Sequence, residues 1–227
     1  MKNEIDKKNT LLNKIKDMIH DLRIRRAIYH DKNINHRNVQ DTHAYWKQPD
    51  DGHNNPKWYT ESPAGKKRSE HLVQIINSLE IENPRILEIG TNAGRNLNAL
   101  YANGYKDLSG IEISSDAVEQ MQTTYPDLFN SAQIFNESVE DAVKKIPDDT
   151  YDIVFTMAVL QHIHSDSING ILDQIMLKSS KYILIHEVED HVGWRHFPRN
   201  YKKEFKVRGA NYHGRFKGLR VFSKNRY

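Results

Sequence analysis

The stretch that most restricts the fold is residues 85 to 100, Arg-Ile-Leu-Glu-Ile-Gly-Thr-Asn-Ala-Gly-Arg-Asn-Leu-Asn-Ala-Leu. Ile86, Leu87 and Ile89 make an apolar run of strand length, and Leu97, Ala99 and Leu100 open a helical face after a turn. Glu88 sits inside the apolar run. A carboxylate there costs free energy unless something pairs with it, so a ligand contact is the favoured reading. Gly90 and Gly94 allow the backbone to turn sharply and approach a ligand, and the amides that open the helix supply donors.

A second acid, Glu112, closes the next apolar run 24 positions later, in Leu-Ser-Gly-Ile-Glu-Ile-Ser. In nucleotide-binding α/β sheets an acid at the tip of the second strand binds ribose hydroxyls, and this spacing suits one β-α-β unit. At this point the chain resembles the class I S-adenosylmethionine-dependent methyltransferases, whose first motifs are an acid-x-Gly-x-x-x-Gly loop and an acid closing strand two. Residues 151 to 163, Tyr-Asp-Ile-Val-Phe-Thr-Met-Ala-Val-Leu-Gln-His-Ile, look like that family's fourth strand and its succeeding helix. The resemblance runs from about Ser69 to Lys224. Many family members have a third glycine where Asn92 stands, and asparagine tolerates the left-handed backbone better than most residues. Neither a Gly-x-Gly-x-x-Gly nor a Gly-Lys-Ser/Thr loop is present.

The resemblance implies an α/β fold, Rossmann-like and doubly wound, with a mostly parallel seven-stranded sheet, an antiparallel terminal strand and an N-terminal helical extension. It implies S-adenosyl-L-methionine as cofactor, held by Glu88, Gly90, Thr91, Asn92, Gly94, Asn96, Glu112, Ile113 and Met157. The family reads adenine just after strand three, which falls here on Ser138 and Val139. Ser138 is equally suited to cap the next helix, with Asp141 at the third position. Residues 1 to 65 divide off as an N-terminal helix and polar lid or linker, and residues 66 to 227 as the methyltransferase domain.

Length and composition are compatible with this. A chain of 227 residues can bury the core of one α/β domain. No apolar run is long enough to span a membrane, and the lysine-rich start lacks a signal peptide's apolar segment, so a soluble cytoplasmic protein is expected. The absence of cysteine excludes thiolate nucleophiles and cysteine-bound metals. The net charge of +3 hides an asymmetry: lysine plus arginine against aspartate plus glutamate is 10 to 5 in residues 1–40, 12 to 24 in 41–190 and 11 to 1 in 191–227. The basic tail suits either an anionic partner or packing back onto the acidic body.

Along the chain, residues 4 to 28 read as an amphipathic helix whose stripe, Ile5, Leu12, Ile15, Ile19 and Leu22, must be buried against the enzyme's body or a partner's copy, giving a homodimer. A membrane-surface helix is disfavoured because the polar face mixes both signs. Residues 29 to 65 carry turn signals throughout, with Trp46, Trp58 and Tyr59 standing out. Such aromatics cover a ligand or pin a loop to the core. Tyr59, Arg68 and Ser69 are the lid candidates. Helices are predicted over 67–80 and 96–103, after Ser115 and near 200–207, and strands over 108–113, 132–135, 151–156, 182–186, 212–216 and 219–223.

Methyl transfer to a hydroxyl needs a base near the acceptor, and His162, His186, Glu187 and His191 follow strands four and five. Each is also of a type that commonly packs or solvates without a catalytic role. His186, Glu187, Glu189 and His191 would suit a divalent metal, but neighbours on one loop without a distant partner do not make a ligand set, so no metal ligand is assigned. Arg195, Arg199, Lys202 and Lys203 suit a phosphate or carboxylate on the acceptor. The expected acceptor is a small, anionic molecule, such as a sugar or nucleotide-linked metabolite, methylated on oxygen or nitrogen. Two alternatives remain: an RNA or DNA methyltransferase using the basic aromatic tail, although the Asn/Asp-Pro-Pro-Tyr/Phe signature is absent, and a non-catalytic scaffold unable to bind the cofactor.

Overall fold

The computed structural model describes residues 11–34, 36, 38–49 and 54–224, with side chains from residue 15 onward inside the first helix. Seven strands form one sheet: β1 (Ile86–Ile89), β2 (Leu108–Ile111), β3 (Gln133–Phe135), β4 (Tyr151–Met157), β5 (Ser179–His186), β6 (Asn211–Phe216) and β7 (Leu219–Ser223), in the order β3-β2-β1-β4-β5-β7-β6. β1 pairs in parallel with β2 and β4, and β7 is antiparallel to both β5 and β6. The chain thus crosses from β3 back over to β4 beside β1. This reversal leaves a crevice at the carboxyl ends of β1, β2 and β4, where open α/β sheets bind ligands.

Both faces of the sheet are covered, which explains why β1 and β4 are buried along their whole length. On one face, α4 (Pro63–Asn77) and α5 (Arg95–Ala102) pack Leu72, Ile76, Leu97 and Leu100 against Ile86, Ile153 and Phe155. α6 (Ser115–Thr124) and α7 (Pro126–Ser131) add Met121 and Leu128 there. On the other face, α8 (Val139–Lys145), α9 (Ser165–Lys178) and α10 (Tyr201–Val207) bury Val143, Leu172, Ile175 and Phe205 against Val154, Ile183 and Phe222. Pro126, just past the end of α6, opens α7 as its first residue, where a proline's missing N–H costs nothing.

Ahead of the sheet, the segment read as turns contains two helices, α2 (Val39–Lys47) and α3 (Pro56–Glu61). The residues taken for turn markers are their caps. Asn38 accepts from the Asp41 amide at 2.8 Å, Asn55 accepts from the Lys57 amide at 2.9 Å, and Pro56 begins α3.

The first helix, α1 (Leu11–Asp31), also departs from expectation. It docks through Ile24 and Ala27, which are 0% and 6% exposed, and through polar contacts rather than through the predicted stripe. His20 Nε2 donates to Glu189 at 2.8 Å, Asn200 Nδ2 donates to Asp21 at 3.2 Å, and Lys202 lies 3.8 Å from Asp17. Ile15, Ile19 and Leu22 face solvent, 40%, 46% and 57% exposed. Ile5 and the side chain of Leu12 lie outside the described residues. Among the described residues no helix is long and apolar enough to cross a membrane.

Candidate functional site

The loop after β1 is shaped by backbone that few residues tolerate. Gly90, Asn92 and Gly94 have φ of 70°, 49° and 75°. Gly90 could carry no side chain in any case, because a Cβ there would fall 2.3 Å from Val159. Asn92 adopts the left-handed turn in place of the family's third glycine, and its side chain accepts from the Ala93 amide at 2.7 Å.

Glu88 points beneath this loop rather than into the crevice. It is 1% exposed, and it accepts from Thr91 Oγ1 at 2.9 Å and from Asn96 Nδ2 at 2.7 Å. The line continues from Asn96 to Ser69 at 2.6 Å and from Ser69 to Arg95 at 3.2 Å, so α4, α5 and β1 share one hydrogen-bonded seam. Burial, only partly offset by Asn96 and Thr91, pushes the Glu88 carboxyl up to about 8.

Glu112 does reach the crevice. Its two oxygens accept from the amides of Asn92 at 2.7 Å and Ser114 at 2.8 Å. Each oxygen keeps a further lone pair for a ligand. Burial raises this carboxyl also, against the pull of the Ser114, Asn92 and Ile113 amides.

The crevice is a cleft open to solvent. Of the residues predicted to hold cofactor, Tyr59, Gly90, Asn92, Glu112, Ile113, Val139 and Met157 line it. Glu88, Thr91, Gly94 and Asn96 lie behind the wall and shape it. Arg68 and Ser138 are not on the wall, and Ser138 caps α8 as expected, accepting from the Asp141 amide at 3.3 Å. Val39, Thr42, His43, Trp46 and Pro49 form a cover over the cleft, and His43 meets Glu140 of α8 at 3.1 Å. Val39, Thr42 and Trp46 recur at the spacing of one helical face, a signal present in the sequence but masked by the polar residues between them. The Trp46 indole nitrogen is buried with no partner among the described residues.

Ala158 just beyond β4 has φ of 57°, a strained conformation on the cleft wall that no sequence signal announced. The same exit carries Gln161 and His162, held by two long-range anchors. Glu187, 5% exposed, accepts from Thr156 Oγ1 and from the amides of Val159 at 3.1 Å and Gln161 at 3.2 Å. Arg199 donates to the carbonyls of Leu160 at 2.8 Å and Ile163 at 2.6 Å. Glu187 is therefore an internal anchor, lifted to about 7 by burial against those hydrogen bonds, and it does not line the cleft.

His162 lines the cleft, whereas His186 and His191 do not. His186 is turned toward Gly218, where an added Cβ would fall 2.7 Å from its Nε2. His191 reaches the cleft only through ring contacts: His191, His196 and His162 are stacked edgewise with centroids 4.5 Å apart at each step, and Trp46 lies 4.6 Å from His162. The His162 tautomer is set by its neighbours. Its Nδ1 is 2.9 Å from the Arg195 carbonyl and must donate. Gln161 Oε1 accepts from the Val188 amide at 2.6 Å, which turns the Gln161 amide nitrogen toward His162 Nε2 at 3.1 Å. Burial, with help from His196 and Arg195, lowers His162 to about 3; burial, His191 and Arg195 lower His196 to about 4. Both rings are neutral at physiological pH. The charge beside them is Arg195, whose guanidinium lies 5.0 Å from the Tyr45 ring centroid and 5.1 Å from that of Trp194.

Glu189 and Arg199, proposed for a metal and for an anion, are otherwise employed. Glu189 is paired with Arg220 at 2.5 Å and His20, and among the described residues no three histidine, aspartate or glutamate side chains gather as a metal site. Arg199 is engaged by carbonyls, Arg208 by Asp173 and Glu204, and Lys224 by Asp149. Much of the basic tail thus packs back on the acidic body.

A family profile described as "Methyltransferase domain" matches residues 34–216. No curated protein sequence matches. Among solved structures, magnesium protoporphyrin IX methyltransferase (ChlM) from Synechocystis PCC 6803 with bound SAM aligns with a TM-score of 0.59 and 13% identity, over 82% of this chain and 97% of that one. The CurJ carbon methyltransferase aligns with a TM-score of 0.63 and 13% identity, over 81% and 61%. The [4+2]-cyclase SpnF aligns with a TM-score of 0.55 and 14% identity, over 66% and 58%. At such identities the likeness is one of fold.

Proposed function

The chain belongs to the class I S-adenosylmethionine-dependent methyltransferases, and we propose that it methylates a small anionic acceptor on an oxygen that arrives already ionised. The observation that carries the reading is geometric: His162 on the cleft wall is held by the Arg195 carbonyl and Gln161, and the Arg195 guanidinium lies 5.9 Å from the ring of Trp46, which also lines the cleft. A side chain lowered to about 3 or 4 is a poor general base at neutral pH. An acceptor that brings its own negative charge needs none.

The residues present fit the cofactor. Glu112 offers unused lone pairs toward the cleft for ribose hydroxyls, Ile113 and Val139 offer apolar surface for adenine, and Gly90, packed without a side chain against Val159, presents its backbone on the cleft wall. Tyr59 and the cover formed by residues 39–49 would close over the bound nucleoside, with α1 as anchor, on a body formed by residues 66 onward. When bound, S-adenosylmethionine supplies a methyl group on a sulfonium together with a good leaving group. The chain's task is to align the acceptor with that methyl and to exclude water. Met157 and Ala158 form the floor at the β4 exit; Trp46, with its unpartnered indole nitrogen, would donate to an acceptor oxygen, and Arg195 would balance its charge.

Internal use of the tail's arginines favours a small acceptor over nucleic acid, which would need them on the surface. The test is transfer of labelled methyl to panels of small carboxylates, acidic phenols, sugar phosphates, neutral alcohols and amines. Transfer confined to the ionised oxygen acceptors, with a pH profile that tracks the acceptor's own ionisation, is expected. Transfer to neutral alcohols, governed by an enzyme group near pH 6 to 7, would overturn the reading.

A further inference from the structure

The outward face of α1 is apolar, although the helix is already docked through its other face. Ile15, Met18, Ile19, Leu22 and Tyr29 are 40%, 57%, 46%, 57% and 68% exposed, and they lie opposite the buried Ile24 and Ala27. At about 1.5 Å per residue the ridge from Ile15 to Tyr29 is about 21 Å long. Isolated exposed apolar residues need no explanation, but Ile15, Met18, Ile19 and Leu22 adjoin at i, i+3, i+4 and i+7 spacing, with Tyr29 beyond Arg25 and Arg26, and a ridge of this kind marks a contact surface.

The charges around the ridge identify what it contacts. In sequence the helix mixes both signs, but in the fold its acids lie beside partners on the docked side: Asp17, with its side chain 43% exposed, beside Lys202, Asp21 against Asn200 and Asp31 against His36. The exposed charged residues between Ile15 and Tyr29 are Lys16, Arg23, Arg25 and Arg26, all cationic. A second copy related by a two-fold axis along this ridge would bring those four cations against the same four. A helix with an apolar ridge and a cationic rim instead matches an anionic lipid surface, with the apolar side chains at the acyl boundary and the cations among the headgroups.

We propose that the outer face of α1 docks the enzyme peripherally onto an anionic membrane surface. This is independent of the acceptor, because the ridge lies outside the cleft. The test is flotation of the full-length protein with vesicles of phosphatidylcholine alone and with about a third phosphatidylglycerol, at low and high salt. Retention only on the anionic vesicles, weakened by salt, is expected. Leu22→Asp, and separately the pair Arg23→Glu with Arg26→Glu, should each weaken it roughly tenfold or more. These side chains are exposed, so the variants should keep the wild-type melting temperature and affinity for S-adenosylhomocysteine. Absence of retention on anionic vesicles, or retention unchanged in the variants, would overturn the proposal. So would a concentration-dependent dimer in sedimentation that Leu22→Asp dissolves, since a second copy would then own the ridge.

Discussion

Glu88 in β1 and Glu112 just past the neighbouring parallel β2 differ in where they point: only Glu112 faces the cleft, while Glu88 turns beneath the loop and accepts from Thr91 and Asn96. The two acids that stand out together in the sequence therefore divide into one that meets a ligand and one that builds the loop around it.

For Glu112 the expected result is a loss of cofactor affinity. Charged hydrogen bonds contribute about 1.5–3 kcal/mol, so Glu112→Ala should weaken S-adenosylhomocysteine binding by roughly ten- to a hundredfold in calorimetry. Normal binding by that variant would show that the nucleoside lies elsewhere.

For Glu88 the expected result is a loss of stability. Glu88→Ala strands the Asn96 and Thr91 donors in the interior, at a cost of about 2–4 kcal/mol in urea unfolding. The folded carboxyl is raised to about 8, so its contribution is fully present below the ordinary carboxylate range and is lost as pH rises through about 8. Between pH 5 and pH 8 the wild type should lose stability relative to Glu88→Gln, and parallel pH profiles for the two would contradict the assigned shift.

Glu189 has the opposite sign. Burial opposes its ionisation, but His20 and Arg220 outweigh burial and hold the carboxyl below its usual value. Its contribution is present above the ordinary carboxylate range and disappears as pH falls through the lowered value. Glu189→Ala leaves Arg220, 3% exposed, without its main partner and should cost about 3–5 kcal/mol, read from the denaturant midpoint.

His162 separates a wall from a base. His162→Phe should keep the ring contacts to Trp46 and His196, leave nucleoside affinity unchanged and reduce turnover by less than about tenfold. A general base would cost about 10² to 10⁴, so a loss of that size, with binding intact, would return His162 to the catalytic role.

The sheet is legible in the sequence because its strands are buried on both faces and read as short apolar runs; Ile86 to Ile89 and Tyr151 to Met157 are the clearest. The left-handed turn at Asn92 is legible for the same kind of local reason. What escapes depends on distant partners. Glu187 and Glu189 look alike on paper, two acids after a strand, but one is satisfied by the β4 exit and the other by Arg220 and α1. Asn38, Asn55 and Pro56 signal a turn or a helix start equally well, and only the packing of Thr42 and Trp46 over the cleft decides between them. The outward ridge of α1 reads as a stripe to be buried, because sequence spacing does not reveal which of two apolar faces docks.

The partners of α1 lie far along the sequence: its His20 waits for Glu189, 169 residues on, which in turn is gripped by Arg220. During synthesis this helix has no landing place until residues 189 to 220 have followed it out of the ribosome. Closing so long a loop is entropically slow, and meanwhile both oily sides of the helix are on offer to chaperones and to other nascent chains. Removal of β7 would thus loosen the docking of α1 as surely as it opens the edge of the sheet.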